Sequence, residues 1–160
     1  MMELPKRAQE LIDQLGLLPH PEGGFYKETY RSETTIQGSE RQLMTSIYFL
    51  LTGENYSRFH RITSDEAWYF HEGNTLLVHT IEGETHTAHH LGLANEAGEQ
   101  PFLLVKGGTI FGSEVLGREG YALVSCAVAP GFDFADFELF TAQDLLPLYP
   151  QHKEIILKMT

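Results

Sequence analysis

The sequence is poor in cysteine and in basic residues, and it contains no long apolar run. Its single cysteine, Cys126, excludes an internal disulfide and favours a reducing, cytoplasmic location. Only 11 basic residues stand against 22 acidic ones, and the net charge of −11 disfavours nucleic acid and anionic membranes as partners. No apolar stretch approaches the roughly 18 residues needed to cross a membrane. The charged N-terminus also lacks the apolar core of a signal peptide.

Short strand-like segments fill the middle of the chain. Its length predicts one domain with a single core, over residues 1–160. No helical periodicity lies between Phe25 and Phe140, which argues against a βαβ arrangement. Glycine-rich turns separate most of the apolar segments, a pattern typical of an all-β sandwich or jelly roll. The predicted strands are 25–31, 44–51, 57–62, 66–71, 75–81, 85–91, 102–105, 109–114 and 121–129.

Helices are predicted only at the two ends of the chain. Apolar residues at helical spacing between Ala8 and Leu15 indicate a first helix, which Gly16 is well placed to end. The sequence from Thr141 to Asp144 has the form of a capping box and predicts a short helix. Residues 154–159 are amphipathic and predict one or two final helical turns.

One segment contains a histidine and a glutamate at a spacing that matches a known motif. His60 and Glu66 are six residues apart, and Gly73 follows seven residues later. His60 and Ile62 share a face of one strand, and a bend at 63–65 lets Glu66 rejoin that face on the next strand. This spacing resembles the first signature of the cupin superfamily, with Ile62 in place of a second histidine. Residues 106–111 resemble the second signature, with Phe111 where the last metal ligand would stand.

Further segments resemble one branch of that superfamily, Cupin family five, whose members are small and largely uncharacterised. The similar segments are 20–26, 28–32, 45–50, 60–61, 64–70 and 128–132. The resemblance implies a double-stranded β-helix, the cupin jelly roll, with a short N-terminal helix and C-terminal helical turns. It also implies a homodimer, in which we expect the edge-like strand 25–31 to take part. It implies no particular reaction, although the fold is shared with sugar-nucleotide epimerases.

The predicted catalytic residues follow from His60. An imidazole titrates near neutral pH, which suits removal of a proton next to a carbonyl. Glu66 would orient this base and raise its basicity, and a tyrosine, Tyr48 or Tyr69, would protonate the opposite face of the substrate. A purely structural pair of His60 and Glu66 is the alternative.

The predicted ligand-binding residues are aromatic and basic. Lys27 and Arg31 are candidates to meet an anionic ligand, although a solvated edge strand explains them equally well. The Phe111 ring would stack on a flat ligand, and neighbouring aromatic rings would stack on it in the same way. The aromatic candidates are Phe59, Trp68, Phe70 and Phe111.

Three functions remain open from the sequence. The first is a small-molecule-binding cupin that works as a metal-independent isomerase or epimerase on a sugar-like or carbonyl-bearing substrate. The second is a ligand-binding or sensor protein without turnover, and the third is a metal-dependent oxygenase with an irregular ligand set. Because Ile62 and Phe111 cannot ligate, we predict neither a bound metal nor another cofactor.

Overall fold

The structure is a computed structural model and describes residues 3–160. Short α-helices lie at the two ends of the chain, with eleven strands between them and 3₁₀ turns at 116–118, 134–136 and 150–152. The helices are α1 (Lys6–Leu15), α2 (Ala142–Leu145) and α3 (Lys153–Met159). The strands are β1 (Leu18–Pro19), β2 (Phe25–Arg31), β3 (Thr45–Thr52), β4 (Tyr56–Arg61), β5 (Asp65–Gly73), β6 (Leu76–Glu82), β7 (Thr85–Leu91), β8 (Phe102–Val105), β9 (Ile110–Val115), β10 (Tyr121–Ala129) and β11 (Glu138–Leu139).

The strands form two antiparallel sheets that face each other. The six-stranded sheet has the order β1-β2-β3-β10-β5-β8, and the five-stranded sheet has the order β11-β4-β9-β6-β7. Alternate side chains of both sheets point inward and pack into one apolar cluster, because successive strand residues face opposite sides. Members of this cluster include Phe49, Trp68, Val78, Phe111 and Val124. The predicted all-β double-stranded β-helix is confirmed.

The predicted strands agree closely with the observed ones. The bounds of β2, β7, β8 and β10 coincide with the prediction, and the other predicted strands differ by one or two residues at their ends. The two-residue strands β1 and β11 escaped prediction, because two residues cannot show an alternating pattern.

Each end of the chain covers the outer face of one sheet. Helix α1 buries Ala8 and Leu11 against the six-stranded sheet and ends at Gly16, which takes the left-handed conformation with φ 66°. At the other end, Thr141 and Asp144 form the predicted capping box of α2, and Ile156 of α3 packs beneath the five-stranded sheet. No helix within residues 3–160 is both long and apolar enough to span a bilayer.

Two local features bring the candidate residues together. Pairing of β4 with β9 sets His60 opposite Phe111, and their ring centroids are 4.1 Å apart. The turn at residues 20–24 lies against the start of β4. Gly23 has φ 115° there, and a Cβ atom on it would lie 2.1 Å from the Tyr56 carbonyl oxygen, so only glycine permits this approach. The close contact carries Glu22 to the side of His60.

Candidate functional site

A cavity of ≈ 430 Å³ opens between the two sheets. This volume suits a small organic molecule. Its inner wall combines ionisable and apolar side chains: His20, Glu22, Tyr26, His60, Ile62 and Glu66. Its outer wall is formed by β2 and by the segment after β10: Glu28, Arg31, Phe132, Asp133, Phe134 and Phe137.

His60 is 4% exposed and is held by two acceptors at a single ring nitrogen. Its Nδ1 atom lies 2.6 Å from the Arg58 carbonyl oxygen and 2.9 Å from Glu22 Oε2. Two acceptors at one nitrogen require a proton there, so in the neutral ring Nε2 carries the free lone pair. Burial alone would lower the pKa of His60, but Glu22 and the Arg58 carbonyl together raise it above 6.5.

His20 lies on the other side of Glu22 and has the opposite properties. Its Nδ1 atom accepts a hydrogen bond of 3.1 Å from the Glu22 backbone N–H. Burial lowers the pKa of His20, and nearby His60 lowers it further against the opposing effect of the Glu22 carboxylate. Two imidazoles in one cavity therefore differ in tautomer and in basicity, and only His60 is a strengthened base.

Glu66 is the second unusual acid–base group of the cavity. Burial raises its pKa to about 7, although the positive charge of His60 acts in the other direction. Its Oε2 atom is buried and has no hydrogen-bond partner among the described residues. A carboxyl group with this pKa exists in both its acid and its ionised form near neutral pH, so it can donate a proton or accept one.

The side chain that positions His60 differs from the one predicted. Glu22 contacts the ring, whereas Glu66 acts on it only through its charge. The two arginines near His60 in sequence point elsewhere: Arg58 donates to the Pro21 carbonyl at 3.4 Å, and Arg61 pairs with Glu138 at 2.7 Å. The sequence feature that could have indicated Glu22 is its position as an acidic residue within a turn rich in proline and glycine.

The two predicted tyrosines lie outside the cavity. Tyr48 packs on the outer face of the six-stranded sheet beside the apolar cluster under α1. Tyr69 is also on an outward face, with its ring 5.4 Å from that of Phe102. Each lies next in sequence to inward-facing neighbours, so alternation turns it away. Tyr26 lines the cavity instead and contacts His20 edge to face.

The aromatic residues predicted to bind a ligand lie in the apolar clusters of the protein. Trp68 and Phe70 belong to the main apolar cluster, and Phe111 supports the His60 ring from behind. Phe59 faces the opposite side of β4 and packs against the C-terminal helices. The rings that do line the outer wall come from a segment whose irregular course no periodic pattern predicts: Phe132, Phe134 and Phe137.

The two predicted basic residues differ in position. Arg31 lines the cavity, but its guanidinium binds Glu28 Oε1 at 2.6 Å and Gln42 Oε1 at 3.0 Å. Lys27 is exposed and does not line the cavity. Of the two side chains predicted to meet an anionic ligand, only Arg31 lines the cavity, and its charge is offset by Glu28.

The residues of the cavity do not suit a metal of the kind that the complete cupin signatures would hold. Ile62 and Phe111 occupy two of the ligand positions, and Nδ1 of His60 is committed to Arg58 and Glu22. Within residues 3–160 there is no group of three or more histidine, cysteine or acidic side chains arranged to hold a metal ion. We therefore derive no step through a metal.

Comparison with known proteins extends these observations. The family described as Cupin superfamily (DUF985) matches residues 9–140. The structure of protein SO0799 from Shewanella oneidensis is 48% identical, with a TM-score of 0.90 over 99% of this chain and 98% of that one. The uncharacterised protein YML079W of Saccharomyces cerevisiae is 29% identical over 91% of this chain and 81% of its own length.

A more distant likeness concerns the fold alone. Oxalate decarboxylase from Bacillus subtilis superimposes with a TM-score of 0.57 at 14% identity, covering 89% of this chain and 36% of that one. At this identity the shared feature is the double-stranded β-helix and not the reaction.

Proposed function

Because the chain belongs to the cupin family described as DUF985, we propose that its cavity binds a small molecule and isomerises it by proton transfer. The substrate bears a carbonyl group, and no metal takes part in the step. The observation that carries this proposal is the arrangement of His60, whose Nδ1 is fixed by two acceptors while Nε2 keeps a free lone pair.

The proposed step begins at the carbon next to the carbonyl. Nε2 of His60 removes a proton from that carbon, and the C–H electron pair moves into the C–C bond while the carbonyl π pair moves to oxygen. Glu66 in its acid form donates its proton to this oxygen, which gives a neutral enol. Water then gives a proton to the opposite face of the same carbon, Glu66 takes back the enol proton as the carbonyl reforms, and His60 gives its proton to the hydroxide left behind, which epimerises the substrate. If that carbon also bears a hydroxyl, the intermediate is an enediol. His60 then returns its proton to the former carbonyl carbon while the other hydroxyl gives its proton to Glu66 and becomes the new carbonyl, which isomerises the substrate.

Glu22 has a positioning role in this step. The imidazolium that forms after proton removal is stabilised by the carboxylate 2.9 Å from Nδ1, much as an acidic residue orients and supports other catalytic histidines. The Arg58 carbonyl fixes the tautomer, so the base needs no rearrangement before it reacts. Tyr48 and Tyr69 have no part, since both lie outside the cavity.

The test is solvent deuterium exchange, followed by proton NMR on a panel of aldoses and ketoses in D₂O. We predict incorporation at the carbon next to the carbonyl for at least one compound. The variant His60→Asn keeps a hydrogen-bond donor for Arg58 but removes the base, so exchange falls by about 10²–10⁴-fold. His90→Asn, a change in an exposed histidine outside the cavity, serves as the matched control.

Binding without proton exchange would contradict the proposed reaction. If the protein binds a compound of the panel but never exchanges its protons, the cavity is a recognition site without turnover, as in a sensor. A cytoplasmic location and a homodimer stay predictions from the sequence.

A further inference from the structure

The cavity carries more acidic than basic groups. Four acidic side chains line it, against one arginine and two histidines. Arg31 is paired with Glu28 and His60 with Glu22, so these charges offset each other. Glu66 and Asp133 remain without a cation within salt-bridge distance among the described residues. A ligand with a carboxylate or phosphate group would meet this surplus at short range.

Two buried oxygen atoms of the cavity lack a hydrogen-bond donor. Glu66 Oε2 has no partner within residues 3–160, and Glu22 Oε2 shares the single N–H of His60 Nδ1 with the Arg58 carbonyl, so it has no donor of its own. Buried carboxylate oxygens without donors are costly. A ligand that fills the cavity must therefore supply N–H or O–H groups, and an ammonium group supplies both donors and the missing positive charge.

The outer wall adds an aromatic surface. Phe132, Phe134 and Phe137 contact one another edge to face, with ring centroids 4.9 to 6.3 Å apart. Asp133 lies within the same segment and also lines the cavity. Aromatic faces beside a carboxylate attract a cation and give an anion nothing to pair with.

We propose that this cavity selects a carbonyl compound that carries a protonated primary amine, such as an amino sugar, over neutral and anionic compounds of the same size. The amine lies beside Glu22 and Glu66 on the inner wall, and the exposed Asp133 adds negative charge on the outer wall. The carbonyl part of the ligand rests on the function proposed above, whereas the charge preference rests on the cavity itself. The positive charge of such a ligand would favour the neutral, basic form of His60 and the ionised form of Glu66, whereas a neutral carbonyl compound would meet the acid form of Glu66 that the proposed proton transfer uses.

Titration calorimetry at neutral pH tests the preference with three probes of one size: D-glucosamine, D-glucose and D-glucuronate. We expect glucosamine to bind about tenfold more tightly than glucose, as a partly desolvated cation between carboxylates and rings would, and glucuronate to bind least. Equal or tighter binding of glucose or glucuronate, or no binding of glucosamine, overturns the proposal.

A charge variant separates this preference from the general fit of a sugar. Glu66→Gln keeps the shape of the side chain and should weaken glucosamine binding about five- to tenfold, with little change for glucose. Glu138→Gln removes a carboxylate outside the cavity and is the matched control. An unchanged preference in Glu66→Gln contradicts the proposal.

The experiments distinguish a failure of the proposed reaction from a failure of the charge preference. Selective binding of glucosamine without deuterium exchange removes only the proton-transfer function. Exchange in glucose but not in glucosamine removes only the charge selection.

Discussion

Burial gives the ionisable residues of this cavity their separate roles. His60 and His20 are the same side chain on either side of one carboxylate, yet the pKa of His60 is raised and that of His20 is lowered. Burial lowers the pKa of both rings. At His60 the Glu22 carboxylate and the Arg58 carbonyl outweigh burial, whereas at His20 burial, together with the charge of His60, outweighs the Glu22 carboxylate.

Glu66 should reduce stability at alkaline pH. Its pKa is about 7 in the folded protein and 4.5 for a free carboxyl, so the folded state holds a proton that the unfolded state has already lost between these values. The stability it contributes is therefore present below 4.5, falls as the pH rises, and is lost above the folded pKa. At about 1.4 kcal/mol per pH unit, the ceiling of this effect is about 3 kcal/mol.

We predict that Glu66→Gln removes this dependence. Relative to the parent protein, the variant gains about 1 to 3 kcal/mol of unfolding free energy between pH values below 4.5 and above 7. Urea unfolding at several pH values measures the gain. A difference between the two proteins that does not change with pH contradicts the raised pKa of Glu66.

Residue types alone indicated some of these roles but not their partners. His60 and Glu66 were found because their spacing matches a known signature. Glu22 was missed, because its burial depends on the positive φ of Gly23 and on a contact with Tyr56 more than 30 residues away in sequence. Tyr48 and Tyr69 were misplaced, since their facing depends on strand register and not on residue type.

At the scale of elements, the strands were predictable and the irregular segments were not. Alternation and glycine-rich turns gave the bounds of β2, β7, β8 and β10 correctly. The segment 131–137, which supplies the aromatic outer wall, has no periodic pattern. It is held instead by long-range contacts, among them a hydrogen bond of 3.0 Å from Arg41 to the Gly131 carbonyl and an ion pair with Asp136.

Helix α3 is fixed by a buried carboxylate that the sequence did not reveal. Glu114 of β9 is 2% exposed and accepts from Lys158 at 2.6 Å, from Arg118 at 2.7 Å and from His79 at 3.3 Å. His79 also contacts His86, so this network extends to β7.

We predict that Glu114→Gln destabilises the protein. The change weakens charge-assisted hydrogen bonds in a buried position, at a cost of about 1–3 kcal/mol. Urea unfolding gives the free energy, and amide exchange in α3 shows whether the helix is released. Glu154→Gln, an exposed change on α3, is the control. If the two variants are equally stable, Glu114 does not anchor the helix.

At the scale of the whole molecule, one sheet face exposes apolar side chains. The outward face of the six-stranded sheet carries Tyr30 on β2, Tyr69 on β5, and Phe102 and Leu104 on β8, each between 42% and 51% exposed. The small residues Ala67 and Ala127 lie between them in register. An apolar sheet face of this kind commonly marks a protein–protein interface.

We predict that this face joins two copies of the chain. Light scattering should report twice the chain mass of 18.1 kDa, and Leu104→Glu should shift the mass toward a single chain by burying a charge in the interface. Leu148→Glu, which changes an equally apolar and still more exposed residue, should not. A parent protein that scatters as one chain at micromolar concentration contradicts the prediction.

The whole architecture was more predictable than the site. Many short strands with regular turns specify a β sandwich or barrel almost independently of detail, and the two altered signatures selected the double-stranded β-helix. The family resemblance indicated where the cavity lies. It could not predict the charges that line the cavity, because these depend on a few long-range contacts.

The central claim is that His60 is a base fixed as the Nδ1–H tautomer by Glu22 and Arg58. Nitrogen-resolved NMR of the imidazole across a pH titration tests it directly, with Glu28→Gln as a control that lines the same cavity without contacting His60. The account predicts the Nδ1–H tautomer and a pKa above 6.5 that falls in Glu22→Gln and holds in Glu28→Gln. An Nε2–H tautomer, or a pKa below 6.5 that is indifferent to Glu22, would contradict it.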